Sequence, residues 1–118
     1  MGLRISNIME PRDYQRFPEY WPDAHARKWN LWGYVDVRDV AAACRLALEA
    51  DVTGSHNVII AAADTVMNRP SRDLLAEVFP GTPVKDDLAD HATLLSIDRA
   101  RDLIGYAPAH SWRDELRG

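Results

Sequence analysis

In Leu31-Trp32-Gly33-Tyr34-Val35-Asp36-Val37, apolar, aromatic and β-branched residues fill a length that suits a strand. At Arg38 the period changes. Val40, Cys44, Ala47 and Leu48 recur at i, i+4, i+7 and i+8, which predicts a helix over 38–50 with those four on its apolar face. Asp36 or Asp39 can cap its start, where negative charge suits the helix dipole. Thr53-Gly54 ends the unit, and residues 55–62 return as a strand with Val58-Ile59-Ile60 at its buried centre. Strand, helix and strand in that order favour a crossover between parallel strands, so the expected class is α/β.

Working towards the N-terminus, Leu3-Arg4-Ile5-Ser6-Asn7-Ile8 alternates apolar and polar and reads as another short strand, stopped by Pro11. Nothing before it is there to pair with it. Between the two, residues 13–29 are aromatic and broken by Pro18 and Pro22, which predicts short helical turns and loop. Towards the C-terminus, Asn68-Arg69-Pro70-Ser71 starts a helix whose apolar side is Leu74, Leu75, Val78 and Phe79. Pro80-Gly81-Thr82-Pro83 stops it, and Val84-Lys85 is a candidate brief strand. A further short helix turns Ala100, Leu103 and Ile104 inward and ends at Gly105, with Pro108 just beyond. Residues 111–116 read as a last helical turn.

The chain has 118 residues, the size of one small domain with a core of its own. Hydrophobic residues are 47% and charged residues 27%, a globular mixture. A net charge of −4 argues against a nucleic-acid module, which would show a basic face. No apolar run approaches the length of a membrane helix. The single cysteine, Cys44, excludes an intrachain disulfide, points to a reducing cytoplasm and is expected to be a buried, inert thiol. His25, His56, His91 and His110 have no metal spacing and are expected at surface or turn positions.

The glycines are too scattered for a Gly-x-Gly-x-x-Gly turn or a P-loop, which need several close together so that backbone N–H groups can approach phosphates. The only lysines are Lys28 and Lys85, and neither lies four residues after a tyrosine. A helical Tyr-x-x-x-Lys pair for proton transfer is therefore absent from the chain.

Three stretches, in order and covering nearly the whole chain, resemble the C-terminal part of the NAD-dependent epimerase/dehydratase family, the extended short-chain dehydrogenase/reductases. Leu3-Arg4-Ile5-Ser6-Asn7-Ile8-Met9-Glu10-Pro11 is similar to the family's Leu-Arg-x-x-Asn-Val-Tyr-Gly-Pro strand and loop. Tyr34-Val35-Asp36-Val37-Arg38-Asp39-Val40-Ala41 is similar to its Tyr-Ile-His-Val-x-Asp-Val-Ala strand and helix. Asp98-Arg99-Ala100-Arg101, with Leu103-Ile104-Gly105-Tyr106-Ala107-Pro108, is similar to its closing Asp-x-x-Lys-Ala-x-x-x-Leu-Gly-Trp-x-Pro element. The resemblance implies a single partial domain. Residues 1–11 would be the last sheet strand and cleft loop, and residues 12–118 a substrate-binding lobe with a few strands and about four helices. The N-terminal Rossmann part, with its glycine-rich turn and Tyr-x-x-x-Lys helix, would lie upstream.

The resemblance also implies site residues. Ser6 would face the nicotinamide of NAD or NADP, and Asn7 would hydrogen-bond the substrate. The amide of Asn7 offers donors and acceptors to a polyhydroxy ligand, but it could equally satisfy its own turn. Tyr34 and Asp36 take cleft-facing positions of the family strand. Trp32 stands where many sugar-nucleotide epimerases carry an arginine. An indole cannot neutralise a diphosphate but can stack on a sugar, so a free sugar, sugar acid or other small polyol fits better; plain core packing is the other reading of Trp32. Met9 and Glu10 depart from the family's Tyr and Gly. The aromatic segment is read as a cover over the lobe's own core, with a lid over the substrate as the alternative.

Two functions follow as expectations. The first is the substrate-binding C-terminal fragment of an NAD(P)-dependent epimerase, dehydratase or sugar-type dehydrogenase, catalytically silent by itself and binding no cofactor tightly. The second is a stand-alone binding or assembly module derived from that lobe. In either case an open strand edge at residues 3–8 predicts a homo-oligomer.

Overall fold

In the computed structural model, which describes residues 1–115, the strand expected over 3–8 is split in two. Strand β1 (Gly2–Ile5) pairs in parallel with a strand from much later in the chain, β4 (Asn57–Ile60). Strand β2 (Ile8–Met9) pairs in parallel with β3 (Val35–Asp36). The chain changes partner at Ser6-Asn7. The Ser6 N–H still donates to the Ile60 carbonyl at 3.0 Å, while the Asn7 carbonyl already accepts from Val35 N–H at 2.8 Å. The first strand therefore does have a partner. Sequence order hid it, because a parallel neighbour is always distant along the chain.

The 31–37 segment is mostly not strand. Leu31 and Trp32 both take left-handed backbone conformations, with φ of 54° and 58°, and only Val35 and Asp36 pair. Helix α1 (Val37–Glu49) then leads towards β4. The strand–helix–strand order is present, but β3 and β4 belong to different two-stranded sheets, joined by Ala62 N–H donating to the Tyr34 carbonyl at 2.8 Å. The domain is mixed helix and strand, of α/β class.

Asp36 caps α1, accepting from Arg38 N–H at 2.8 Å. Asp39 is buried and serves a different purpose, accepting from the backbone N–H groups of Ala109 and His110 at 3.0 and 3.1 Å. That inward carboxylate turns the helix by about one position from its expected face. Ala43 is buried, with Val40, Leu46 and Ala47 packed on the core, whereas Cys44 is exposed and Leu48 is 88% exposed. The expectation of a buried thiol is thus corrected: the polar partner of Asp39, not apolar periodicity, sets the rotation.

Downstream come α2 (Ser71–Val78), α3 (Asp98–Ile104) and α4 (Trp112–Glu115). Gly105 ends α3 with φ of 72°, the left-handed cap that favours glycine. Val84-Lys85 is loop rather than strand, and Leu116 of the expected last turn lies outside the described residues. The aromatic segment folds into two 3-10 helices, Pro11–Glu19 and Ala24–Asn30.

Two cores form. One gathers Tyr14, Phe17, Trp32, Tyr34, Leu74 and Trp112, so most of the aromatic segment does cover the lobe's own interior. The other packs Val58, Ile60 and Leu3 of the β1–β4 pair against Ala43 of α1 and Ala100 and Ile104 of α3. Only one face of that pair is covered in this way. The register sets Gly2 and Arg4 beside Asn57 and Ile59 on the opposite face, where Arg4 and Asn57 are exposed and Ile59 is half-buried. Parallel pairs are ordinarily found in sheets covered on both faces.

Candidate functional site

Just past the end of β1, the Ser6-Asn7 bend borders a hollow of ≈ 300 Å³. Its far wall is the end of the second 3-10 helix, Trp29 and Asn30, and Ile59 and Leu95 give it apolar surface. Gly33 allows the wall to sit so close. A Cβ there would come within 2.7 Å of the Leu95 side chain and 3.0 Å of the Ser6 hydroxyl oxygen. Trp29 is 72% exposed, an unusual position for so large an apolar ring.

Most polar side chains of this hollow are uncommitted. Neither the Ser6 hydroxyl, nor the Asn7 side-chain amide, nor the Arg4 guanidinium has a hydrogen-bond or ion-pair partner among the described residues. Asn7 therefore does not use its side chain to close its own turn. Asn30 is held by its oxygen, which accepts from Trp32 N–H at 3.1 Å, while its Nδ2 is shut away from solvent and bonded to nothing. A buried, unpaired amide donor is costly unless some acceptor reaches it. Neutral donors and acceptors, one guanidinium and an exposed indole thus share this hollow.

The other expected site residues lie elsewhere. Trp32, Tyr34 and Asp36 are fully buried. The Trp32 indole N–H donates to the Ala24 carbonyl at 2.8 Å. The Tyr34 hydroxyl donates to Asp64 at 2.6 Å and accepts from Trp112 N–H at 3.1 Å. Burial, then the charge of Asp64 and its hydrogen bond, push the Tyr34 phenol far above its ordinary pKa. Asp36 accepts from the Tyr14 hydroxyl and, at 2.8 Å on each oxygen, from the Arg38 guanidinium. Burial alone would raise its pKa, but the Arg38 and Tyr14 donors outweigh it and hold the carboxyl at about 2. The polar atoms of these three are used in holding the fold, although their segment runs beside Asn7.

A second hollow of ≈ 390 Å³ is lined by Asp64, His110 and Ser111, but its polar groups are largely spoken for. Asp64 accepts from Tyr34, from the Ser111 hydroxyl at 2.6 Å and from Arg113 at 2.7 Å, while His110 pairs with Asp39 at 2.9 Å. No group of three or more metal-ligating side chains occurs among the described residues, and no described helix is long and apolar enough to cross a membrane.

Comparison with known proteins finds no family model, no curated protein and no solved structure that matches the chain. Trp29, Asn30 and Arg4 were not singled out by sequence as site residues. The signal available was weak: Trp29-Asn30 stands shortly before a glycine, but nothing in the pattern says which of the tryptophans stays outside.

Proposed function

We propose that this chain is the substrate-binding C-terminal part of an NAD(P)-dependent epimerase, dehydratase or sugar-type dehydrogenase, and that the hollow beside Ser6 and Asn7 receives a small polyol or sugar-type substrate. One observation carries the reading: uncommitted Ser6, Asn7 and Arg4, with the unpaired Nδ2 of Asn30, line one hollow beside an exposed Trp29 at the end of a parallel strand. Ligands of open α/β sheets bind beyond the carboxyl ends of the strands, which is where this hollow lies. The one-sided β1–β4 pair further supports a larger sheet of which these strands are a part.

A dinucleotide does not fit the described residues by themselves. Gly54, Gly81 and Gly105, the glycines with positive φ, are isolated from one another and form no cradle for a pyrophosphate. Contact with the nicotinamide side would come from Ser6, whose hydroxyl is uncommitted. In this reading the chain binds and orients substrate, and acid–base chemistry belongs to residues upstream.

Two measurements test this. Blotting the source cells with an antibody to this chain is expected to show a species of roughly 250–350 residues, a cofactor domain plus its lobe. Titration of the chain with a panel of sugars, sugar acids and polyols, followed by NMR, is expected to shift the signals of Asn7, Trp29 and Asn30. Trp29→Ala and Asn7→Ala should each weaken that binding by about tenfold, the worth of one stacking face or one buried hydrogen bond. A native species of the chain's own size, with no response from any of the panel, would remove the reading.

The unpaired outer edge of β1 favours a second reading, a stand-alone assembly module. Ile5 of β1 and Ile8 of β2 are 40% and 50% exposed. Such an edge recruits another strand. Light scattering on the purified chain is expected to give at least twice the 13.3 kDa of one copy at micromolar concentration. A monomer would count against assembly through this edge.

A further inference from the structure

On the uncovered face of the β1–β4 pair, a separate hollow of ≈ 430 Å³ is lined by Arg4, Asn57, Ile59, Ser96 and Arg99. It contains two guanidinium groups and no carboxylate. That is unexpected in a chain with 18 acidic against 14 basic side chains. Arg12, Arg16, Arg38, Arg69, Arg101 and Arg113 all pair with carboxylates. Arg4 and Arg99, like Arg27, Arg45 and Arg72, have no carboxylate partner among the described residues, and of these five only Arg4 and Arg99 line one hollow together.

Arg99 is nevertheless held in place. The Nε2 of His56 lies 2.9 Å from the Thr53 carbonyl, which can only accept, so that nitrogen carries the hydrogen. The other ring nitrogen, Nδ1, is then an acceptor, and it receives the Arg99 guanidinium at 3.2 Å. A neutral partner fixes the side chain without cancelling its charge. Arg4 is set by the strand register, directly beside Ile59. Asn57 lies over Gly2, where a Cβ would meet its amide oxygen at 2.2 Å. Two cations facing one hollow repel each other unless an anion lies between them, and guanidinium groups recognise oxyanions through paired N–H donors.

We propose that this hollow is an anion-binding site for a phosphate group, with Arg4 and Arg99 supplying charge and Asn57 and Ser96 supplying neutral hydrogen bonds. The site adjoins the polyol hollow, with which it shares Arg4 and Ile59, and it does not depend on the substrate reading.

The test is an NMR titration of the 118-residue chain with inorganic phosphate and, separately, with glycerol 2-phosphate, each against sodium chloride at matched ionic strength. Saturable shifts confined to Arg4, Asn57, Ser96 and Arg99 are expected with phosphate and not with chloride. Tighter binding of glycerol 2-phosphate would assign the site to a phosphorylated metabolite, and equal or tighter binding of inorganic phosphate to the free ion. Arg99→Gln, at an exposed position, should weaken binding by about tenfold or more, and Arg4→Gln by a similar factor. Asn7→Ala, which alters only the neighbouring hollow, should leave phosphate binding unchanged. Shifts that do not saturate, that chloride reproduces, or that survive Arg99→Gln would overturn the proposal.

Discussion

Asp36→Ala is expected to lower the unfolding free energy by about 3–5 kcal/mol, as measured by urea denaturation. The carboxylate caps α1, accepts the Tyr14 hydroxyl and binds both sides of the Arg38 guanidinium. Removing it leaves the Tyr14 hydroxyl buried without its acceptor and deletes the cap in the same step. Small domains have about 5–15 kcal/mol in total, so the variant would be near the limit of folding. Acid provides a second readout. The folded pKa of Asp36 is lowered to about 2 from an ordinary 3.8. Its contribution is therefore fully present above pH 3.8 and is lost as pH falls from there through 2. The shift is worth on the order of 2 kcal/mol. Asp36→Asn should lack that part of the acid limb. If Asp36→Ala matched the parent chain in both urea midpoint and acid limb, this network would not be holding the fold.

Trp32→Ala is expected to cost about 3–5 kcal/mol of stability while leaving ligand affinity at the Ser6–Asn7 hollow unchanged in the folded fraction. The ring is fully buried, its N–H is bonded to Ala24, and it meets Phe79 edge-on at 6.2 Å. The left-handed backbone at Trp32 adds a signature. Glycine normally destabilises more than alanine, but where φ is positive it avoids a Cβ penalty of roughly 1–2 kcal/mol. Trp32→Gly should therefore be less damaging than Trp32→Ala. Both are measured by denaturation. Intact stability combined with weakened ligand binding would return Trp32 to the role of a substrate platform.

Much of the fold could be read from local pattern. The helix starts at Asp36 and Pro70, the cap at Gly105 and the proline-broken turns of residues 11–30 depend on rules that act within a few residues. What pattern could not show depended on distant partners. The strand beginning at Gly2 finds Asn57–Ile60, and α1 rotates because Asp39 meets Ala109 and His110. The site divided along the same line. Ser6 and Asn7 lie at an open hollow, whereas Trp32, Tyr34 and Asp36 were drawn inward by Ala24, Asp64, Tyr14 and Arg38. Trp29 stayed outside because the turn at Leu31-Trp32 sends one indole into the core and leaves the other in solvent.

Residues 109–113 have a consequence for the order of events during synthesis. Trp112 fills the first core, donates its backbone N–H to Tyr34 and its indole N–H to the Thr65 carbonyl at 2.6 Å, while Asp39 and Asp64 wait for Ala109, His110 and Ser111. These links span between 47 and 78 positions of chain. On the ribosome, the buried carboxylate of Asp39 and the half-buried one of Asp64 thus emerge long before the donors at residues 109–113. The first core therefore stays incomplete, and its polar groups hydrated, until residues 109–113 have been made.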